Sequence, residues 1–131
     1  MLGQNYNGVT LAYIGDAVIE LYLREALIAF GITDTGRLSA AAQKLVCAPT
    51  QSELTEKLLP LLTPEEEAAY KLGRNHKVGG KPKHASVAQY SRATGMEAVF
   101  GYLHLTGAHD RSTELLRTIY GERLSELQPE I

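Results

Sequence analysis

Apolar residues in this chain recur at intervals of three and four, and nowhere alternate as a half-buried strand requires. That period restricts the chain to packed helices. From Val9 to Phe30 it passes through Leu11, Ile14, Val18, Leu21 and Tyr22, and Gly31 stops it. Thr33-Asp34-Thr35 offers caps for a second helix reaching about Cys47, and Pro49 opens a third carrying Leu54, Leu58 and Leu59. Thr63-Pro64-Glu65-Glu66 reads as a capping box with proline at the first helical position. It predicts a fourth helix to about Leu72, ended by Gly73. Ser86 caps a fifth helix through Leu105, stopped by Gly107, and Asp110 is read as the N-cap of a last one carrying Leu115, Leu116, Ile119 and Tyr120. The expected fold class is all-α, a compact multi-helix unit of about six helices, with residues 1–131 forming a single domain.

Residues 73–85 carry the one long loop signal, with three glycines and a proline. The chain's formal charge of −2 argues at first against a nucleic-acid partner. Its distribution reverses that inference. Lys71, Arg74, Lys77, Lys81, Lys83 and Arg92 fall in one stretch without an acid, leaving seven basic against fifteen acidic residues elsewhere. Basic side chains among glycine-exposed amides suit phosphates. A solvated, flexible surface loop is the competing reading of the same stretch, and the loop alone favours neither. Gly79-Gly80-Lys81 is no phosphate-cradling P-loop, because it lacks the upstream glycine and the following Ser or Thr. No run of eighteen apolar residues is present, no basic leader precedes the first helix, and Cys47 stands alone. A non-membrane, cytoplasmic protein is expected, with Cys47 as a small core residue.

Two carboxylates stand out. Asp16 lies mid-helix among Ala12, Gly15, Ala17 and Glu20, although Asp is a poor interior residue and Gly costs about 1 kcal/mol relative to Ala. Glu97 lies mid-helix among Ala93, Thr94 and Gly101, a narrow surface on which an unpaired carboxylate is expensive. Helices meeting through such small residues bring the two acids within reach of one divalent cation, and Mg²⁺ typically takes one or two carboxylates plus waters and phosphate oxygens. A buried acid–base pair is the competing reading. Glu20 is four residues from Arg24, so neutralisation of that cation is its expected job.

The segment Leu11-Ala12-Tyr13-Ile14-Gly15-Asp16-Ala17-Val18-Ile19-Glu20-Leu21 resembles the signature of the ribonuclease III family, and Glu97-Ala98-Val99-Phe100-Gly101-Tyr102-Leu103 resembles its second acidic motif. Gly73-Arg74-Asn75 and Pro82-Lys83-His84 point to the family's short branch, a single catalytic domain without a double-stranded RNA-binding domain. The resemblance implies a ribonuclease III-like endonuclease domain working as a homodimer, each active site cutting one strand of double-stranded RNA with Mg²⁺. The ends left are 5′-phosphate and 3′-hydroxyl, and the implied substrate is precursor large-subunit (23S) ribosomal RNA. On such a duplex Arg74, Lys77, Lys81 and Lys83 are the expected phosphate contacts, with Asn75 as a hydroxyl or phosphate partner. Asp16 takes the position of the catalytic aspartate and Glu97 that of the metal-binding glutamate. Ala12 and Thr94 stand where larger members carry two further acids, a departure that fits the short branch.

Two other readings compete. The missing acids suit a catalytically inactive RNA-binding module of the same fold. His109-Asp110, with His76, His84 and His104, suggests a helical metal phosphohydrolase. The turn at Gly107 and the capping role given to Asp110 weigh against the latter.

Overall fold

The computed structural model describes residues 6–76 and 85–127. Its elements are α1 (Gly8–Ala29), α2 (Thr35–Val46), α3 (Ala48–Leu58) with a 3₁₀ turn over Leu59–Leu61, α4 (Pro64–Arg74), α5 (Val87–Leu105) and α6 (His109–Leu127). The all-α expectation holds. Lys77, Lys81, Lys83 and His84 lie outside the described residues.

Local chemistry sets most of the boundaries. Asn7 Oδ1 accepts from Thr10 N at 2.8 Å to start α1, and Asp34 Oδ2 accepts from Arg37 N at 2.9 Å to start α2. The expected capping box forms in both directions, with Glu66 N donating to Thr63 Oγ1 at 3.2 Å and Thr63 N donating to Glu66 Oε1 at 2.9 Å. Ser86 and Gln89 build a second such box at the start of α5. Gly31 and Gly107 adopt φ of 100° and 80°, a left-handed conformation that stops α1 and α5.

Three expectations are corrected. Gly73 does not end α4, which runs to Arg74 with Asn75 as its C-cap. Gly73 is buried, and a Cβ there would lie 2.6 Å from Thr94 O and 2.8 Å from Ala98 Cβ, so glycine serves close helix packing. Asp110 is no N-cap either. α6 begins at His109, which puts Asp110 in the first turn, where its charge faces the positive end of the helix dipole. Cys47 is half-buried at the break between α2 and α3 rather than in the core.

The long helix α5 is the hub. α1, α3 and α4 pack against it, and Met96, Ala98, Val99 and Phe100 are fully buried. Ile19, Leu23 and Leu27 of α1 meet Leu115, Leu116, Ile119 and Tyr120 of α6 in the same core, the α6 residues picked out by their spacing. A smaller cluster joins Leu11, Ala12, Ala69 and Ala98 where α1, α4 and α5 converge. Arg111 ties α6 to the start of α4, donating from Nε and Nη2 to the two oxygens of buried Glu66 at 3.0 Å and from Nη2 to Leu61 O at 2.7 Å.

Candidate active site

α1 and α5 cross with their backbones touching. A Cβ on Gly15 would collide with the Glu97 carbonyl oxygen, and one on Gly101 would collide with the carbonyl oxygen of Leu11. Only glycine at both positions permits this approach, which accounts for two poor helix formers in the middle of long helices. The crossing sets Asp16 beside Glu97, close enough for the Asp16 charge to act on the Glu97 carboxyl. Asp16 stays exposed while Glu97 is half-buried. Burial first, and then the neighbouring Asp16 charge, push the Glu97 carboxyl up to about 8. Near neutral pH, Glu97 therefore keeps a proton. A cation that displaces the proton would be welcome there.

The two family-position departures have structural uses. Ala12 is buried in the α1–α4–α5 cluster, where a carboxylate would lose its hydration. Thr94 returns its hydroxyl to Tyr90 O at 2.9 Å. Glu20 pairs with Arg24 at 3.6 Å, as expected. Among the described residues no group of three or more His, Cys, Asp and Glu side chains is arranged to hold a metal ion. His104 stacks on His109 with ring centroids 4.8 Å apart, away from Glu97's cleft.

Beside Glu97 opens a cleft of about 440 Å³ between α3 and α5, bordered by Cys47, Gln51, Tyr90, Ala93 and Thr94. Cys47 Sγ lies 3.2 Å from Thr50 Oγ1, which donates to Lys44 O at 2.9 Å. Gln51 is 1% exposed, and the sequence reading did not single it out. Its helical period marks it only as inward-facing, and nothing local announces what it faces.

The expected RNA-binding residues divide. Arg74 and Asn75 sit together at the exposed end of α4, with Arg74 Nε donating to Asn75 Oδ1 at 3.0 Å and the guanidinium 5.7 Å from the Tyr70 ring centroid. Lys71 pairs with Glu67 at 3.8 Å and Arg92 with Glu56 at 3.9 Å, so the basic stretch is partly neutralised by neighbours distant from it in sequence or a turn away.

Residues 9–108 match the family model for the ribonuclease III domain. The chain belongs to the ribonuclease III family. A Mini-ribonuclease 3 of Enterococcus faecalis is 44% identical over 112 residues, covering 84% of this chain and 85% of the relative. Another, from Symbiobacterium thermophilum, is 40% identical over 109 residues, covering 83% and 84%. A crystal structure of a Fusobacterium nucleatum protein superposes with a TM-score of 0.82 at 27% identity, over 92% of this chain and 96% of that one. The ribonuclease III fold is thus shared, and the chain is an endoribonuclease. Among the described residues no helix is long and apolar enough to cross a membrane.

Proposed function

We propose that this chain is a Mg²⁺-dependent endoribonuclease that cuts double-stranded RNA as a homodimer in the cytoplasm, and that its substrate is precursor large-subunit (23S) ribosomal RNA. The observation that carries the reading is the Asp16–Glu97 pair, two carboxyl groups brought together at a glycine crossing. The donor set fits the cation, because Mg²⁺ prefers oxygen ligands and completes its shell with water and substrate phosphates. Asp16 and Glu97 would hold it. When bound, the cation supplies charge for the scissile phosphate and lowers the pKa of a coordinated water. Glu97 contributes by giving up its proton as the cation arrives, and Asp16 by remaining open to solvent, where an RNA strand reaches it.

Arg74 and Asn75 are the described members of the RNA-binding set, and Lys77, Lys81 and Lys83 complete it. Duplex RNA presents phosphates and 2′-hydroxyls rather than a readable major groove, which these residue types match. Homodimer formation is supported by α1, whose outer face exposes Tyr13 (83%), Leu21 (61%) and Ile28 (55%) beside Asp16 and Glu20. The relatives named Mini-ribonuclease 3 support the assignment to RNA.

The test is cleavage of structured precursor 23S RNA beside an unrelated duplex of equal length, across Mg²⁺ concentrations. Cuts confined to the precursor's paired segments and bearing 5′-phosphates are expected. Equal cutting of both duplexes removes the ribosomal substrate, and cutting of single strands alone removes the duplex reading.

A further inference from the structure

Gln51 sits in the first turns of α3, its backbone N–H donating to Cys47 O at 3.0 Å. The side chain is buried, yet it borders the same cleft as Glu97. Its Nε2 has no acceptor among the described residues. A buried amide nitrogen without a partner is costly, and native interiors rarely keep one without a use.

The hydrogen bonds formed nearby do not use this nitrogen. The Tyr120 hydroxyl lies beside the Gln51 amide, but it donates to Leu45 O at 2.9 Å and no well-formed hydrogen bond joins the two. Thr55 Oγ1 donates to the backbone oxygen of Gln51 at 2.8 Å, not to its amide. Gln51 and Glu97 border one cleft, from α3 and α5 respectively. The Glu97 carboxylate offers about four lone-pair sites, and a cation leaves some of them open.

We propose that Gln51 is a positioning residue whose Nε2–H is donated to the Glu97 carboxylate and fixes it for the divalent cation. This rests on the reading of Asp16 and Glu97 as the metal-holding pair. The residue type suits the task. A neutral amide steadies a carboxylate without competing with the cation, as a lysine would, and without adding a third negative charge. Carboxylate ligands are ordinarily held in this way by a hydrogen-bonding partner behind them.

Gln51→Met keeps the length and bulk of the side chain and removes the donor. Calorimetric titration with Mn²⁺ and Mg²⁺ in the absence of RNA is expected to show affinity lowered about 10- to 100-fold. The metal-free melting temperature is expected to stay level or rise, since an unpartnered amide has gone. In the wild-type protein, the Gln51 side-chain amide resonances should move on saturation with Mg²⁺, a readout that does not depend on the variant folding. Unchanged metal affinity in Gln51→Met, or amide resonances that stay still while the wild type binds Mg²⁺, overturns the proposal alone. A wild-type protein that binds neither cation overturns the metal-holding pair and this proposal together.

Discussion

A carboxyl group that titrates near 8 instead of near 4.5 makes Glu97 a liability to the folded chain whenever it ionises without a cation. Its unfolded counterpart loses its proton near the ordinary value, so the folded state binds the extra proton between the two. Stability from this group is complete below about pH 4.5 and is lost as pH rises through 8. Metal-free protein should therefore melt at progressively lower temperature between pH 5 and 8, at roughly 1.4 kcal/mol per unit for this group. Glu97→Gln should flatten that slope, and Mg²⁺ should restore wild-type stability at pH 8, both measurable by thermal unfolding. A wild-type curve that rises over this range would contradict the assignment. Asp16 and Glu97 were legible as residues because each breaks a local rule, an acid among glycines and alanines within a helix. Gln51 breaks none, and its environment is made by α5 and α6, which lie far from it in sequence.

Among the helices, the crossing of α1 on α5 is the feature the site depends on. Alanine would favour an isolated helix at Gly15 by about 1 kcal/mol. Here its methyl group would strike the Glu97 carbonyl. Gly15→Ala is therefore expected to cost about 1–3 kcal/mol or more in denaturant unfolding and to abolish cleavage by parting the two acids. A neutral or stabilising effect would mean the helices do not touch there. The Glu66–Arg111 clamp acts at the same scale. Arg111 holds the Glu66 carboxyl below its ordinary range, so its contribution is present above about pH 4.5 and lost on acidification through the lowered value. Arg111→Met leaves Glu66 buried without its cation and should cost about 3 kcal/mol at pH 7, shrinking as pH falls through the range where Glu66 protonates. The starts of α2, α4 and α5 were readable because a cap and its partner lie within four residues. Gly73 was misread as a stop because a glycine near a helix end and one pressed against a neighbouring helix look alike without the neighbour. The Arg111 clamp joins segments distant in sequence, which no local pattern reports.

For the whole molecule, the uneven charge makes a prediction about salt. Changing Lys77, Lys81 and Lys83 to Gln should weaken binding to every duplex alike and lower the log–log salt slope by about 2 to 3. An unchanged slope would place the RNA elsewhere. The exposed face of α1 predicts sedimentation at twice the 14.3 kDa chain mass, with Tyr13→Glu shifting the protein to monomer. Sedimentation of the wild type as monomer would leave that face without its partner copy. The helical class was readable from periodicity, because a 3.6-residue period and a two-residue period seldom mimic each other over long stretches. The meeting of Asp16 and Glu97 was foreseen only as a geometric option, since it depends on which faces of α1 and α5 come together. The most direct test is single-turnover cleavage of an end-labelled RNA duplex by wild type and Asp16→Asn over a Mg²⁺ series. Cleavage by wild type that rises with Mg²⁺, with no product from Asp16→Asn despite intact folding and RNA binding, is the predicted result. Equal cutting by both proteins, or none by the wild type at any Mg²⁺ or Mn²⁺ concentration, would contradict it.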